Sequence, residues 1–142
     1  MILGLSHMTF IVKDLEKASA FWKDIFDAKE VYVSGDRTFS VSKEKFFIIG
    51  DMWICIMEGE PAKERDYNHI AFRIAEADFD QYVMRLNKMG IEIKKGRPRV
   101  KGEGRSVYFY DLDNHLFELH TGSLSERLQR YCGKLSNTHT ST

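Results

Sequence analysis

The chain has 142 residues, of which 43% are hydrophobic and 30% charged, a composition typical of one globular domain. Its 21 basic residues balance its 21 acidic residues, so no overall field favours binding to nucleic acid. No apolar run approaches the roughly 18 residues that span a bilayer, the first residues lack signal-peptide features, and the two cysteines form no disulfide framework, so we expect a cytoplasmic protein with no membrane role.

The first half of the chain predicts a strand, a helix and then four short strand candidates. A β-rich run from His7 to Val12 is followed by Asp14, a helix N-cap, and by an apolar stripe at helical spacing. Further strands are predicted at residues 31–33, 38–41, 46–49 and 53–57, and residues 42–45 read as a polar loop or strand end. Residues 58–65 contain glycine and proline and are the predicted linker.

The second half repeats this order. A strand is predicted at residues 69–74, followed by a helix that ends near Gly90 and by strands at residues 91–93, 106–110 and 116–120. Residues 97–105 form a loop. Ser123 and Glu126 form a capping box that opens a last helix at residues 123–132, and the polar tail at residues 133–142 is expected to be disordered.

His7 and His69 occupy equivalent places in the two halves, 69 − 7 = 62 residues apart. The spacing predicts one supersecondary unit used twice, an α+β fold of tandem βαβββ modules at about residues 4–59 and 66–122 within a single domain at residues 1–132. Aligned at nearly the same offset, residues 54–56 match residues 117–119. Glu118 therefore lies on the last strand of its module, beside the strand that begins at His69.

Two imidazoles and one carboxylate can hold a divalent metal ion and leave positions open for water and substrate. His7, His69 and Glu118 would supply this set from three strands. His120 shares the face of Glu118 by strand alternation, so it is either a further ligand or a partner of one.

A family resemblance supports this choice. The chain resembles the vicinal oxygen chelate superfamily, which has the glyoxalase I-like fold of paired βαβββ modules, through His7-x-x-Phe10, His69-x-x-Phe72 and Tyr110-Asp111-x-Asp113-x-His115-x-x-Glu118-x-His120. Within it, the chain is similar to the fosfomycin-resistance enzymes of the type that opens the epoxide with water, through Leu5-Ser6-His7, Tyr67-Asn68-His69 and the run from Gly102 to Tyr110.

The resemblance implies a cofactor and an assembly. It implies Mn²⁺ held by His7, His69 and Glu118, although this ligand set also suits other divalent metals. It further implies a module-exchanged homodimer, in which His7 faces His69 and Glu118 of the other chain.

The resemblance also assigns the reaction. It implies metal-dependent hydration of fosfomycin to a diol, with Glu44 as the general base that takes a proton from water. Without the resemblance, Glu44 would read as a surface glutamate between lysines. Thr9 matches a position near the epoxide oxygen.

Several residues match positions that contact or adjoin the substrate. Ser106, Tyr108 and Arg127 match phosphonate contacts, and Tyr67 lies beside the metal site by sequence. Arg97 or Arg99 supplies a further positive charge, and the sequence does not choose between them.

Other functions remain open at the level of sequence. The thiol-transferring relatives keep a lysine and a serine where this chain has Pro98 and Gly102, which argues against transfer of glutathione or a similar thiol. Another metal-centred reaction of the superfamily, such as glyoxalase isomerisation or ring-cleaving dioxygenation, is a second alternative. A non-enzymatic module that sequesters the drug is a third, although a sequestering pocket does not need the metal-ligand set.

Overall fold

The computed structural model describes residues 1–136, with side chains described up to residue 133. The chain divides into two compact units. The first unit contains Met1–Tyr67 and Tyr110–His115, and the second contains Asn68–Phe109 and the chain from Leu116 onward. Among the helices of the described range, none is long and apolar enough to cross a membrane.

The first unit is a four-stranded mixed sheet with one helix. Its elements are β1 (His7–Val12), α1 (Leu15–Phe26), β2 (Lys29–Val33), β3 (Glu44–Ile49) and β4 (Met52–Glu58). The strand order is β1-β4-β3-β2, with β1 parallel to β4 and the other pairs antiparallel.

Helix α1 begins and ends where its local chemistry requires. The side chain of Asp14 accepts a hydrogen bond from the Lys17 backbone N–H at 3.0 Å, and Asp27 ends the helix in the left-handed conformation with φ of 54°. The apolar side of the helix packs in the core of the unit. Trp22 and Ile25 are fully buried there, and burial of one such side chain contributes about 1.5–3 kcal/mol.

The second unit has the same plan. Its elements are β5 (His69–Arg73), a 3-10 turn (Glu76–Asp78), α2 (Phe79–Lys88), β6 (Ile93–Lys94), β7 (Ser106–Tyr110), β8 (Leu116–His120) and α3 (Leu124–Ser136). The strand order is β5-β8-β7-β6, with β5 parallel to β8. Ser123 caps the start of α3, since the Glu126 N–H donates to Ser123 Oγ at 3.2 Å. The Glu126 side chain accepts from the Ser123 hydroxyl at 3.1 Å rather than from the Ser123 N–H of the predicted capping box.

Strand register confirms the internal repeat. Thr9 pairs with Cys55 in the first unit, and Ala71 pairs with Glu118 in the second. Each first strand therefore runs parallel to the last strand of its own unit. Glu118 takes the place that Cys55 has in the other sheet, and the predicted α+β fold of two βαβββ modules is confirmed.

The predicted strand at residues 38–41 is wrong. The hydroxyl of Thr38 donates to the Ser42 carbonyl at 2.7 Å and accepts from the Ser40 N–H at 3.3 Å, so local bonds replace a strand ladder. Phe39 and Val41 are 83% and 91% exposed. A short β-rich pattern with no strand beside it forms a loop here.

The boundaries that follow α2 and α3 also differ from the predictions. The N–H of Ile91 donates to the Leu86 carbonyl at 3.0 Å and closes the end of α2, so the strand predicted at residues 91–93 begins only at Ile93. Helix α3 extends to Ser136, which corrects the expected disorder for residues 133–136. The rest of the tail, residues 137–142, lies outside the described residues.

Candidate active site

One face of the first sheet carries three of the predicted site residues. His7 and Thr9 alternate along β1 and pair with Trp53 and Cys55 on β4. Glu44 is the first residue of β3 and lies two residues before Phe46, which pairs with Cys55. Because alternate residues of a strand share a face, these five side chains project from the same side of the sheet.

Glu44 is buried rather than a solvated loop residue. It is 7% exposed, and its N–H donates to Ser34 Oγ while its carbonyl accepts from the Ser34 N–H, each at 3.0 Å. The Cys55 thiol donates to Glu44 Oε2 at 3.5 Å. Burial first, and then the neighbouring carboxylate, raise the pKa of Cys55 to about 12, so the thiol stays neutral and remains a donor. The carboxylate of Glu44 is therefore held in a defined place.

Lys45 fixes the start of β3 from the opposite face. Its Nζ lies 2.9 Å from Glu16 and 3.2 Å from Glu30, and Ser19 donates to Glu30 at 3.0 Å. Burial alone would lower the pKa of Lys45, but the bonds and charges of these two glutamates raise it. From sequence, Lys45 was predicted to lie in a polar loop or at a strand end. Its buried ion pairs become apparent only from the position of α1.

His7 is exposed at the start of β1. Its Nδ1 lies 3.1 Å from Ser6 Oγ, and its ring lies 4.3 Å from the indole of Trp53. Tyr67, at the end of the first unit, is 57% exposed.

The second unit brings His69 and Glu118 together. His69 Nε2 lies 3.0 Å from Glu118 Oε2, while Glu118 Oε1 accepts bonds from Ser106 Oγ at 2.5 Å and from Arg99 at 3.2 Å. Burial alone would raise the pKa of Glu118, but the bonds from Ser106 and Tyr108 and the nearby positive charge lower it. The carboxylate is therefore kept ionised, the state that a metal ligand requires.

Arg99, not Arg97, lies at this carboxylate. One terminal nitrogen of Arg99 donates to Glu118 and also to the Tyr108 hydroxyl at 2.9 Å. Its other terminal nitrogen is buried and has no hydrogen-bond partner among residues 1–136. A buried donor without a partner costs about 1–3 kcal/mol, so this atom is suited to meet an anionic group or water.

Arg97 instead pairs with Glu103. The two terminal nitrogens of Arg97 donate to the Glu103 carboxylate at 3.1 and 3.3 Å, and Tyr131 and the Val100 N–H donate to the same group at 2.7 and 3.1 Å. This clamp ties the loop that carries Arg99 to helix α3. Sequence reasoning missed Glu103, although a glutamate between two glycines in an arginine-rich loop was visible.

We predict that Glu103→Gln destabilises the protein in a pH-dependent way. The bonds from Arg97 and then Tyr131 lower the pKa of Glu103 from 4.5 to about 2, so its ionised form favours folding above pH 4.5 and this contribution is lost as the pH falls toward 2. The melting temperature of the variant should lie below that of the wild type at pH 7, and the gap should shrink between pH 4.5 and about 2.

Glu60→Gln, at an exposed position, is the matched control and should leave the melting temperature unchanged over the same range. A Glu103→Gln protein with the wild-type melting temperature at pH 7 would contradict the assigned clamp.

Tyr108 and Arg127 also lie near Glu118. The ring of Tyr108 meets His69 edge to face at 5.4 Å between centroids. A cavity of about 330 Å³ is lined by His69, Glu118, Leu124 and Arg127, among others. The lining thus combines a carboxylate, two imidazoles (His69 and His120) and a guanidinium.

Among the side chains that the structure describes, neither unit alone contains a complete three-ligand set. Within the described side chains, no group of three histidine, cysteine, aspartate or glutamate residues is arranged to hold a metal ion. His69 and Glu118 form a pair in the second unit, and His7 belongs to the first unit.

Comparison with known proteins identifies a family. The model of the Glyoxalase/Bleomycin resistance protein/Dioxygenase superfamily matches residues 4–119. The fosfomycin resistance protein FosX of Listeria monocytogenes is 63% identical over 131 residues, which cover 92% of this chain and 98% of that protein. The metallothiol transferase FosB of Staphylococcus saprophyticus is 37% identical over 92% of this chain and 85% of that protein.

Solved structures agree. A glutamate-to-glutamine mutant of Listeria monocytogenes FosX, crystallised with Mn(II) and 1S,2S-dihydroxypropylphosphonic acid, superposes with a TM-score of 0.86 at 62% identity. The match covers 92% of this chain and all of that one.

Proposed function

This chain belongs to the Glyoxalase/Bleomycin resistance protein/Dioxygenase superfamily and, within it, to the FosX-type fosfomycin resistance proteins, and we propose that it hydrates the epoxide of fosfomycin in an Mn²⁺-dependent reaction. The observation that carries the proposal is the 62% identical FosX structure, whose ligands are Mn(II) and a dihydroxypropylphosphonic acid. That ligand is the diol that addition of water to fosfomycin would give.

His7, His69 and Glu118 are the proposed metal ligands. The donor set of two imidazoles and a carboxylate suits a divalent ion such as Mn²⁺. The 3.0 Å between His69 Nε2 and Glu118 Oε2 supports the choice, because it brings two of the three donor atoms together. When bound, the ion would act as a Lewis acid on the epoxide oxygen.

Glu44 is the proposed general base. Its carboxylate would accept a proton from a water molecule as the water oxygen bonds to the ring carbon that bears phosphorus. The bond between that carbon and the ring oxygen breaks, and the ring oxygen takes up a proton to complete the diol. Thr9, on the same sheet face, is the proposed hydrogen-bond donor to this oxygen.

Arg99, Tyr108 and Arg127 are the proposed phosphonate contacts, and we propose that Ser106 acts instead on Glu118, which accepts its hydrogen at 2.5 Å. The buried terminal nitrogen of Arg99 that has no partner among residues 1–136 supports the phosphonate contact, because a phosphonate oxygen would satisfy it. Arg97 is not proposed as a contact, since its guanidinium is engaged by Glu103. For Tyr67, we propose a position beside the metal site.

A module-exchanged homodimer would complete the site, with His7 of one chain joining His69 and Glu118 of the other. His7 belongs to the first compact unit and His69 and Glu118 belong to the second, and the module exchange implied by the family resemblance would bring them together. We also propose a cytoplasmic location, in keeping with two cysteines outside any disulfide. A single domain at residues 1–132 remains part of the proposal.

Thiol transfer is the alternative reaction, and the 37% identical metallothiol transferase makes it concrete. The higher identity to FosX and the buried Glu44 favour water as the nucleophile. Turnover in ¹⁸O-labelled water tests this choice, because hydration incorporates one labelled oxygen into the phosphonate product. A product without the label, or a thiol adduct formed faster than the diol, would exclude the hydrolase.

A further inference from the structure

A continuous line of polar contacts joins Arg127 to Glu118 through two intermediate side chains. Arg127 lies 3.5 Å from His120 Nε2, His120 Nδ1 lies 2.7 Å from Ser106 Oγ, and Ser106 Oγ lies 2.5 Å from Glu118 Oε1. All four residues belong to the second unit, and the side chains of His120 and Glu118 are 14% and 7% exposed. Glu118, His120 and Arg127 also line the cavity of about 330 Å³, so the line of contacts borders this cavity.

The chemistry of the end groups sets the direction of the bonds along this line, and the His120 ring also bonds the Arg105 backbone. A guanidinium can only donate, so Nε2 of His120 accepts from Arg127. The neutral imidazole then carries its single hydrogen on Nδ1, which donates to Ser106 Oγ. Ser106 is left with one hydrogen, and it donates that hydrogen to Glu118.

The backbone leaves space for this imidazole. A Cβ atom on Gly122 would lie 2.6 Å from the Glu103 carbonyl oxygen and 2.7 Å from His120 Nε2, well inside van der Waals contact with both. Any larger residue at Gly122 would displace the ring. The placement of His120 thus depends on a glycine outside the strand.

The same hydrogen bonds also set the orientation of the Glu118 carboxylate. Glu118 Oε1 is taken by Ser106 and Arg99, which leaves Oε2 beside His69 Nε2 at 3.0 Å. We propose that His120 is a positioning residue for the metal centre, which directs the Ser106 hydrogen to Glu118 and so holds Oε2 in its ligating orientation. The inference deepens the proposed function, because it rests on Glu118 as a metal ligand.

A pair of amide variants tests the inference. In His120→Asn the amide nitrogen takes the place of Nδ1 and can still donate to Ser106, whereas in His120→Gln it takes the place of Nε2 and cannot. Partners that orient a metal ligand are worth about 10–100-fold in metal affinity, so we expect His120→Gln to bind Mn²⁺ about tenfold more weakly than wild type and His120→Asn to stay within about threefold. The electron paramagnetic resonance signal of free Mn²⁺ measures both affinities without substrate.

A double-mutant comparison tests the route. In a Ser106→Ala background, His120→Gln should weaken Mn²⁺ binding by no more than about twofold further, because the link is already broken. Additive losses, or equal Mn²⁺ affinities for the Asn and Gln variants, would overturn the inference. If wild type binds Mn²⁺ but hydrates no fosfomycin, the proposed function fails while the Asn and Gln difference still supports the inference.

Discussion

Glu44→Gln should lower the rate of fosfomycin hydration by about 10²–10⁴-fold, the usual contribution of a general base. The amide nearly preserves the shape of the side chain, so its buried place next to Cys55 and Ser34 can be kept. What the variant loses is the ability to take a proton from water. We expect kcat to fall while Mn²⁺ affinity and the melting temperature stay near wild type. A product assay, an Mn²⁺ titration and a thermal unfolding curve measure these three quantities.

The control for this variant is Glu60→Gln, an equal change at an exposed turn position, which should keep full activity. Hydration by Glu44→Gln at the wild-type rate with Mn²⁺ bound would show that another group is the base. A variant that loses Mn²⁺ affinity together with activity would instead point to a structural role for Glu44.

His69→Ala should weaken Mn²⁺ binding by more than about 100-fold and abolish activity at micromolar metal, since even the residues behind a ligand cost 10–100-fold. The control is His115→Ala, because His115 bonds Asp111 at 2.6 Å in the turn between β7 and β8 and belongs to the first unit. It should keep Mn²⁺ affinity. Drug binding that persists in metal-free His69→Ala would support the sequestering alternative and contradict the enzyme.

Mixing two inactive variants separates the proposed dimer from a site within one chain. In a module-exchanged dimer, a chain with His7→Ala and a chain with His69→Ala form one intact site of two. If chains reassort freely after co-refolding, half of the dimers are mixed, so about one quarter of wild-type activity should return. No recovery in refolded mixtures that contain the mixed dimer would contradict module exchange.

The repeat and the place of Glu118 were predictable from sequence because both follow from strand periodicity. The equivalence of His7 and His69 predicted two similar modules and placed Glu118 beside the strand that begins at His69. The structure adds that His7–Val12 pairs parallel with β4 and His69–Arg73 pairs parallel with β8. Strand periodicity depends on neighbouring residues only, so few alternative arrangements fit the same pattern.

The choice between Arg97 and Arg99 was not predictable. Both arginines occupy the same irregular loop, and the outcome depends on Glu103, whose carboxylate binds Arg97 and Tyr131 and leaves Arg99 for Glu118. A pairing between a loop and a helix more than 25 residues away carries no periodic signal.

Glu44 gives a similar lesson for strand ends. The lysines on either side of Glu44 predicted a solvated loop. In the structure Lys45 is buried and forms ion pairs with Glu16 and Glu30, and β3 begins at Glu44. The reverse occurred at residues 38–41, where β-prone residues found no strand to pair with. In both cases tertiary partners decided the outcome over local pattern.

Phosphorus NMR of fosfomycin incubated with the enzyme and Mn²⁺, with and without a thiol, tests the central claim most directly. We expect the fosfomycin signal to be replaced by that of the dihydroxypropylphosphonate in the absence of thiol. Added glutathione should change neither the product nor the rate, and chelation of the metal should stop the reaction. Fosfomycin that persists without thiol and is converted to an adduct only when thiol is added would contradict it.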